Sequence, residues 1–145
     1  MKAPNDKRAS SLWLKQGLIH VLLPLGVGFL FYQLFRKNTI LHQLPFPYQG
    51  VFADTDFFAS TFLRNYFCDF IWCYALTSSL SLIFPQKKAS FLCPIIAFSV
   101  GLLYEISQQW GLFPGTGDCA DVFTYLLAAT AAHYRILFYQ RRHHP

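Results

Sequence analysis

The sequence predicts an all-α polytopic membrane protein with four transmembrane helices and a short interfacial helix after the first span. Three observations carry this. Hydrophobic residues make up 54% of the 145 positions against 13% charged, with 16 Phe, which is too apolar for an ordinary soluble domain. Four apolar runs approach or reach the length that spans a bilayer. The Lys and Arg residues flank those runs instead of forming a stripe, which is the pattern of membrane topology signals. The expected partner is therefore the lipid bilayer and not nucleic acid. Residues 1–145 read as one integral membrane domain.

Lys2, Lys7, Arg8 and Lys15 precede the apolar run Gly17–Phe35, giving a first span over about residues 16–36. The run is longer than a signal-peptide core, ends in Arg36 and Lys37, and lacks an A-x-A cleavage site, so it reads as an uncleaved anchor. Pro24, Gly26 and Gly28 suit a kink or a close helix contact, and His20 suits packing against a neighbour. Residues 38–64, with breakers LPFPY and ADTD and the apolar set Phe57, Phe58, Phe62 and Leu63, predict an interfacial helix capped by Thr55 or Asp56. The second span covers about 65–84, the third 89–109 with Pro94 and a small packing position at Gly101, and the fourth 119–139 before the basic tail RRHHP.

Four spans put both termini on one side, and the positive-inside tally makes that side cytoplasmic. It then holds Lys2, Lys7, Arg8, Lys15, Lys87, Lys88, Arg141 and Arg142, with Arg135 nearby, against Arg36, Lys37 and Arg64 outside. Every carboxylate except Asp6 falls outside or in the outer half of the membrane: Asp54, Asp56, Asp69, Glu105, Asp118 and Asp121.

The polar residues of the later spans are the candidate binding cluster: Asp69, Glu105, Gln108, Gln109, Asp118, Asp121 and Tyr125. Glu105, Gln108 and Gln109 share a helix face at i, i+3 and i+4. Asp118 fits an N-cap, and Asp121 fits either a cap or a side chain turned toward Tyr125 at i+4. Glu105 and Asp69 inside apolar spans are costly unless they face the bundle interior, Glu105 with Trp72 or Tyr125 as a partner and Asp69 with Arg64 and Asn65 near it. Two such buried acids would repel if both were ionised. Asp69, Glu105 and Asp121 are expected to share one cavity in the outer half.

No metal and no cofactor are expected. There is no EF-hand loop, PGTGD lacks the Lys of a P-loop, and Ser107 has no His placed near it. The four Cys form no CxxC pair and have no His at zinc spacing, although Cys68 and Cys119 lie on one side, leaving a disulfide between them open.

The run Glu105, Gln108 or Gln109, then Pro114 and Gly115, then D-x-x-D at Asp118 and Asp121 before an apolar helix resembles the signature of the VanZ-like membrane proteins. The likeness covers the third and fourth spans. It departs from the family where Thr116 and Gly117 replace an Arg after the PG turn, and where Tyr125 and Ala128 stand in the last helix. The resemblance implies a small multi-span protein of a bacterial plasma membrane, with a role at the envelope or in resistance to the glycopeptide teicoplanin, and a site on the outer face. Three readings stay open. One is a protein whose acidic pocket, lined by Trp72, Tyr104, Trp110 and Tyr125, binds a lipid-linked or cell-wall-related group. The second is an intramembrane enzyme using Glu105 and Asp121 as acid and base on a lipid headgroup. The third is a structural subunit with the acids as helix-to-helix glue. The oligomeric state is open as well.

Overall fold

A computed structural model of the chain describes residues 6–35, 66–84, 89–113 and 117–143, and these are helical apart from short turns. The first helix comprises α1 (Asp6–Gly17), a π-helical turn (Leu18–Leu22) and α2 (Leu23–Phe35). Its π-turn sits immediately before Pro24, and Leu23 N–H donates to the carbonyl of Leu18. A proline has no N–H to give residue i−4 and its ring presses on that carbonyl, here that of His20. The wider turn absorbs both problems without ending the helix.

Helix α3 (Cys68–Ile83) starts within the expected second span, with Asp69 in its first turn at the positive end of the helix dipole. It stops at Phe84, whose φ of −115° and ψ of 74° lie outside the α region that the residue before a proline disfavours. Helix α4 (Ala89–Gln109) matches the expected third span residue for residue. It ends in a Schellman turn: Gly111 has φ 70°, its N–H reaches Gln108 O at 3.0 Å, and Leu112 N–H reaches Ser107 O at 2.9 Å. Helix α5 (Cys119–His143) begins at the expected residue and runs into the basic tail.

The core lies between α3, α4 and α5, where Cys73, Ala97, Tyr125, Ala128 and Ala129 are buried. Small side chains let the backbones approach closely, which is how helices associate without a hydrophobic drive between them. Gly101 on α4 faces the Tyr125 ring so tightly that a Cβ there would lie 2.6 Å from Cδ2. The first helix docks on α3, with Gly28 against Ile71. Three hydroxyls on α3 are satisfied within their own helix, as Thr77, Ser79 and Ser81 each donate to the carbonyl four residues back.

The large apolar side chains point outward. Leu14, Leu18, Leu22, Phe91, Ile95, Leu103 and Phe123 are all exposed, the inverse of a soluble protein. Two helices are long and apolar enough to cross a membrane, Ser11–Phe35 and Phe91–Gln109, and α3 is a shorter apolar helix. The expected interfacial helix over 38–64 lies outside the described residues, as do Arg64, Asn65 and the Pro114–Thr116 part of the turn.

Candidate functional site

Three helices deliver the acidic residues to one end of the core. Asp69 comes from the first turn of α3, Glu105 from the last turns of α4, and Tyr125 from the second turn of α5. The Tyr125 hydroxyl lies 3.1 Å from Glu105 Oε1 and 3.2 Å from Asp69 Oδ1. Glu105 is only 4% exposed and Tyr125 only 2%. Gly101 leaves the space that the Tyr125 ring occupies, and Trp72 meets the same ring edge-on at 6.2 Å.

A phenol has one proton to donate, so it can serve only one of two carboxylates. The other contact is a hydrogen bond only when that second carboxyl carries a proton and donates it to the phenol oxygen. Asp69, Tyr125 and Glu105 therefore form a closed set when the two acids hold one proton between them. With both acids ionised, one oxygen would face the hydroxyl without a hydrogen and repel it.

The second oxygen of Glu105 reaches the α4–α5 turn, where Asp118 N–H donates to Oε2 at 3.1 Å. That amide stands at the N-terminus of α5, where free N–H groups and the helix dipole favour a negative charge. Asp118 itself is the N-cap: its Oδ1 accepts from Ala120 N–H at 2.9 Å, and its carbonyl accepts from Asp121 N–H at 3.1 Å. Its Oδ2 is 3.4 Å from the Tyr66 hydroxyl.

Beside this turn is a cleft of about 300 Å³ lined by Leu102, Glu105, Ile106, Gln109, Asp118, Cys119 and Val122. The structure thus gathers most of the expected cluster but in two compartments. Tyr125 meets Glu105 from the core side and links it to Asp69, while Gln109 and Asp118 flank it on the cleft side. Asp121 is half-buried one turn before Tyr125 and does not line the cleft. Gln108 is half-buried, and its carbonyl closes the turn at Gly111. Asp69 and Glu105 meet at the Tyr125 hydroxyl, and the cleft lies on the other side of Glu105 with neither Asp69 nor Asp121 in its wall.

The aromatic lining also differs from expectation. Tyr104 and Trp110 are exposed, and Tyr104 packs at 5.8 Å on Phe113. The reason is the helix angle, since a neighbour of the inward-facing Glu105 is turned about 100° away from it. Cys68, Cys73, Cys93 and Cys119 are free thiols, and Cys68 Sγ points to the carbonyl of Gly28 at 3.8 Å. Among the described residues no three His, Cys, Asp or Glu side chains converge as metal ligands.

A second polar cluster was not anticipated. Arg135 Nη1 donates to Gln16 Oε1 at 2.9 Å, and nearby His20 Nδ1 and the Tyr74 hydroxyl are 2.9 Å apart. His20 packs on a neighbour as expected, and the Arg135–Gln16 pair beside it is a contact that the sequence reading does not contain. The available signal was Arg135 itself, a charge ahead of the end of an apolar run. No protein-family model, curated protein or solved structure matches the chain.

Proposed function

We propose that the protein is a four-span integral membrane protein, with both termini cytoplasmic, that binds a lipid-linked or cell-wall-related group in the cleft beside Glu105. The cleft carries this reading: a carboxylate 4% exposed forms part of its wall, flanked by Gln109 and Asp118 and by the apolar Leu102, Ile106 and Val122. A pocket of that make-up takes a ligand with a polar donor and an apolar body. Glu105 Oε2, on the side of the cleft, accepts one internal hydrogen bond and keeps a lone pair for a donor such as an amine or hydroxyl of the ligand. The outward-facing apolar surface supports membrane insertion, and the basic tally supports an outer position for the cleft. Likeness to the VanZ-like signature makes a bacterial envelope and teicoplanin resistance the context to test.

The test is expression in a glycopeptide-susceptible host with teicoplanin susceptibility as the readout. Glu105→Gln keeps the shape of the site and removes its charge, and it is expected to abolish protection at normal protein levels. Asp118→Asn keeps the cap and is expected to retain protection. Full protection by Glu105→Gln with loss in Asp118→Asn would instead make the acids structural glue.

A second reading, an intramembrane acid–base enzyme on a lipid headgroup, is favoured by the hydrogen-bond distances that join Asp69, Tyr125 and Glu105. It moves the pairing from Glu105 and Asp121 to Glu105 and Asp69. Release of a labelled headgroup by purified protein, lost in Asp69→Asn, would select it over binding alone.

A further inference from the structure

The acidic node and the cleft share Glu105, whose two oxygens bond in different directions. Oε1 meets the Tyr125 hydroxyl, whose other neighbour is Asp69, and Oε2 takes the amide of Asp118, a residue of the cleft wall. The turn that carries this amide is seated without slack: a Cβ on Gly117 would overlap the Gln109 side chain and lie 2.8 Å from the Glu105 carbonyl oxygen. Among the described residues the titratable groups around the node are Asp69 from α3 and Asp118, Asp121 and Tyr125 from α5, with Tyr66 against Asp118.

A single proton held by the two acids has two places to sit, and the phenol keeps its own in both. With the proton on Glu105, Oε1–H donates to the phenol oxygen and the phenol donates to an ionised Asp69. With it on Asp69, Oδ1–H donates to the phenol oxygen and the phenol donates to an ionised Glu105. The two arrangements interconvert when Glu105 passes its proton to Tyr125 as Tyr125 passes its own to Asp69. One proton then crosses the node, none leaves it, and no bond between heavy atoms changes. The cleft meets a neutral acid in the first arrangement and a carboxylate in the second. A donor in the cleft bonds the carboxylate more strongly than the neutral acid, and a charged donor most of all.

We propose that the cleft takes a cationic amphiphile, an alkyl chain ending in an ammonium group, and that its binding moves the node's proton from Glu105 to Asp69 through Tyr125. The inference rests on the cleft reading above and adds the charge of the ligand and the path of the proton. The ammonium donates to Oε2, Asp118 adds a second carboxylate to the wall, and Leu102, Ile106 and Val122 cover the chain. An anion would be repelled by the same two groups. Asp69 and Tyr125 are positioning residues, since neither lines the cleft.

The experiment uses the full chain in phosphatidylcholine nanodiscs and reads the alkylation rate of Cys119, an exposed thiol in the cleft wall. Dodecylamine should slow alkylation at about one-tenth the concentration that dodecanol needs, the scale of one charge-assisted hydrogen bond, and dodecanoate should not slow it. Glu105→Gln should remove the preference for the amine. Asp69→Asn should keep it, because the Asn amide donates to the phenol oxygen and leaves the phenol proton for Glu105. On adding dodecylamine to wild type, the infrared difference spectrum should lose the C=O band of a protonated carboxyl, absent in Glu105→Gln, and gain a second band, absent in Asp69→Asn. Competition by phosphatidylethanolamine would mark a lipid headgroup as the natural source of the amine and its failure to compete a free long-chain amine, and both results agree with the cation. Protection by dodecanol or dodecanoate equal to that by dodecylamine would overturn the cation and leave the cleft a binding site. Protection by none of the three would remove the cleft reading as well. Protection by dodecylamine without exchange of the carboxyl bands would overturn the proton path.

Discussion

The two polar clusters of the bundle solve the same problem in opposite ways. At the Glu105 end, both oxygens of the buried carboxylate have donors from the chain itself, Tyr125 and the Asp118 amide. At the Arg135 end, one N–H has an acceptor in Gln16 and the buried Nε has none. Desolvating a charge is tolerable when its hydrogen bonds are replaced and costly when they are not. The acidic cluster is therefore satisfied within the fold, and among the described residues the basic cluster is not. Sensitivity to mutation should follow that division: changes at the acidic end should cost more stability than changes at the basic end.

The largest effect is expected at Gly101. A Cβ there would lie 2.6 and 2.7 Å from the Tyr125 ring, which is enclosed and cannot swing away. Gly101→Ala should cost up to about 3 kcal/mol, the overpacking range. It should do so equally in zwitterionic and anionic lipid. Gly28→Ala, whose Cβ would meet Ile71 Cγ2 at 3.1 Å, should cost visibly less in the same melting experiment. Equal tolerance of both substitutions would mean that Tyr125 is not held where the acidic node requires it.

Next comes Tyr125→Phe, which removes the hydroxyl between Asp69 and Glu105 and leaves two buried acids facing each other. A loss of about 1–3 kcal/mol is expected. Glu105→Gln should restore part of it in the double variant, because only one of the two acids is left. A double variant no more stable than Tyr125→Phe alone would break the shared-proton description.

At the other end, Gln16→Ala deletes the acceptor for Arg135 and should cost about 1 kcal/mol in phosphatidylcholine. Melting curves should show that loss, and a loss as large as that of Tyr125→Phe would erase the contrast between the clusters. The smallest effect belongs to Asp118. Asp118→Ala removes the cap to Ala120 and should cost about 1 kcal/mol, whereas Asp118→Asn should leave the melting temperature unchanged.

Much of this architecture was legible in the residues because hydropathy and helix capping are local. The bounds of α4, the start of α5 and the cap at Asp118 follow from apolar run length and a single Asp before Cys119. Glu105 facing inward followed from the cost of a carboxylate in an apolar span. Its partners were only half legible, since Tyr125 was one of two candidates and the Asp118 amide was not among them. The separation of Asp69 and Asp121 from the cleft depends on how α3 and α5 rotate against α4, which Gly101 and Tyr125 decide through contact. Arg135 was counted only as a topology charge. Its link to Gln16 spans 119 positions, and no periodicity within one helix reports such a pairing.

The central claim is that a membrane-spanning bundle carries its acidic cleft outside and its Arg135 cluster inside. Cys119 is a natural reporter, because it is exposed, is a free thiol and lines the cleft. A membrane-impermeant thiol reagent applied to intact cells should label the wild-type protein, and Cys119→Ser should remove that label. A Cys placed at Lys87 in the Cys119→Ser background should be labelled only after the membrane is opened. Labelling of the Lys87→Cys protein in intact cells, with wild-type Cys119 protected until permeabilisation, would invert the topology and contradict the account.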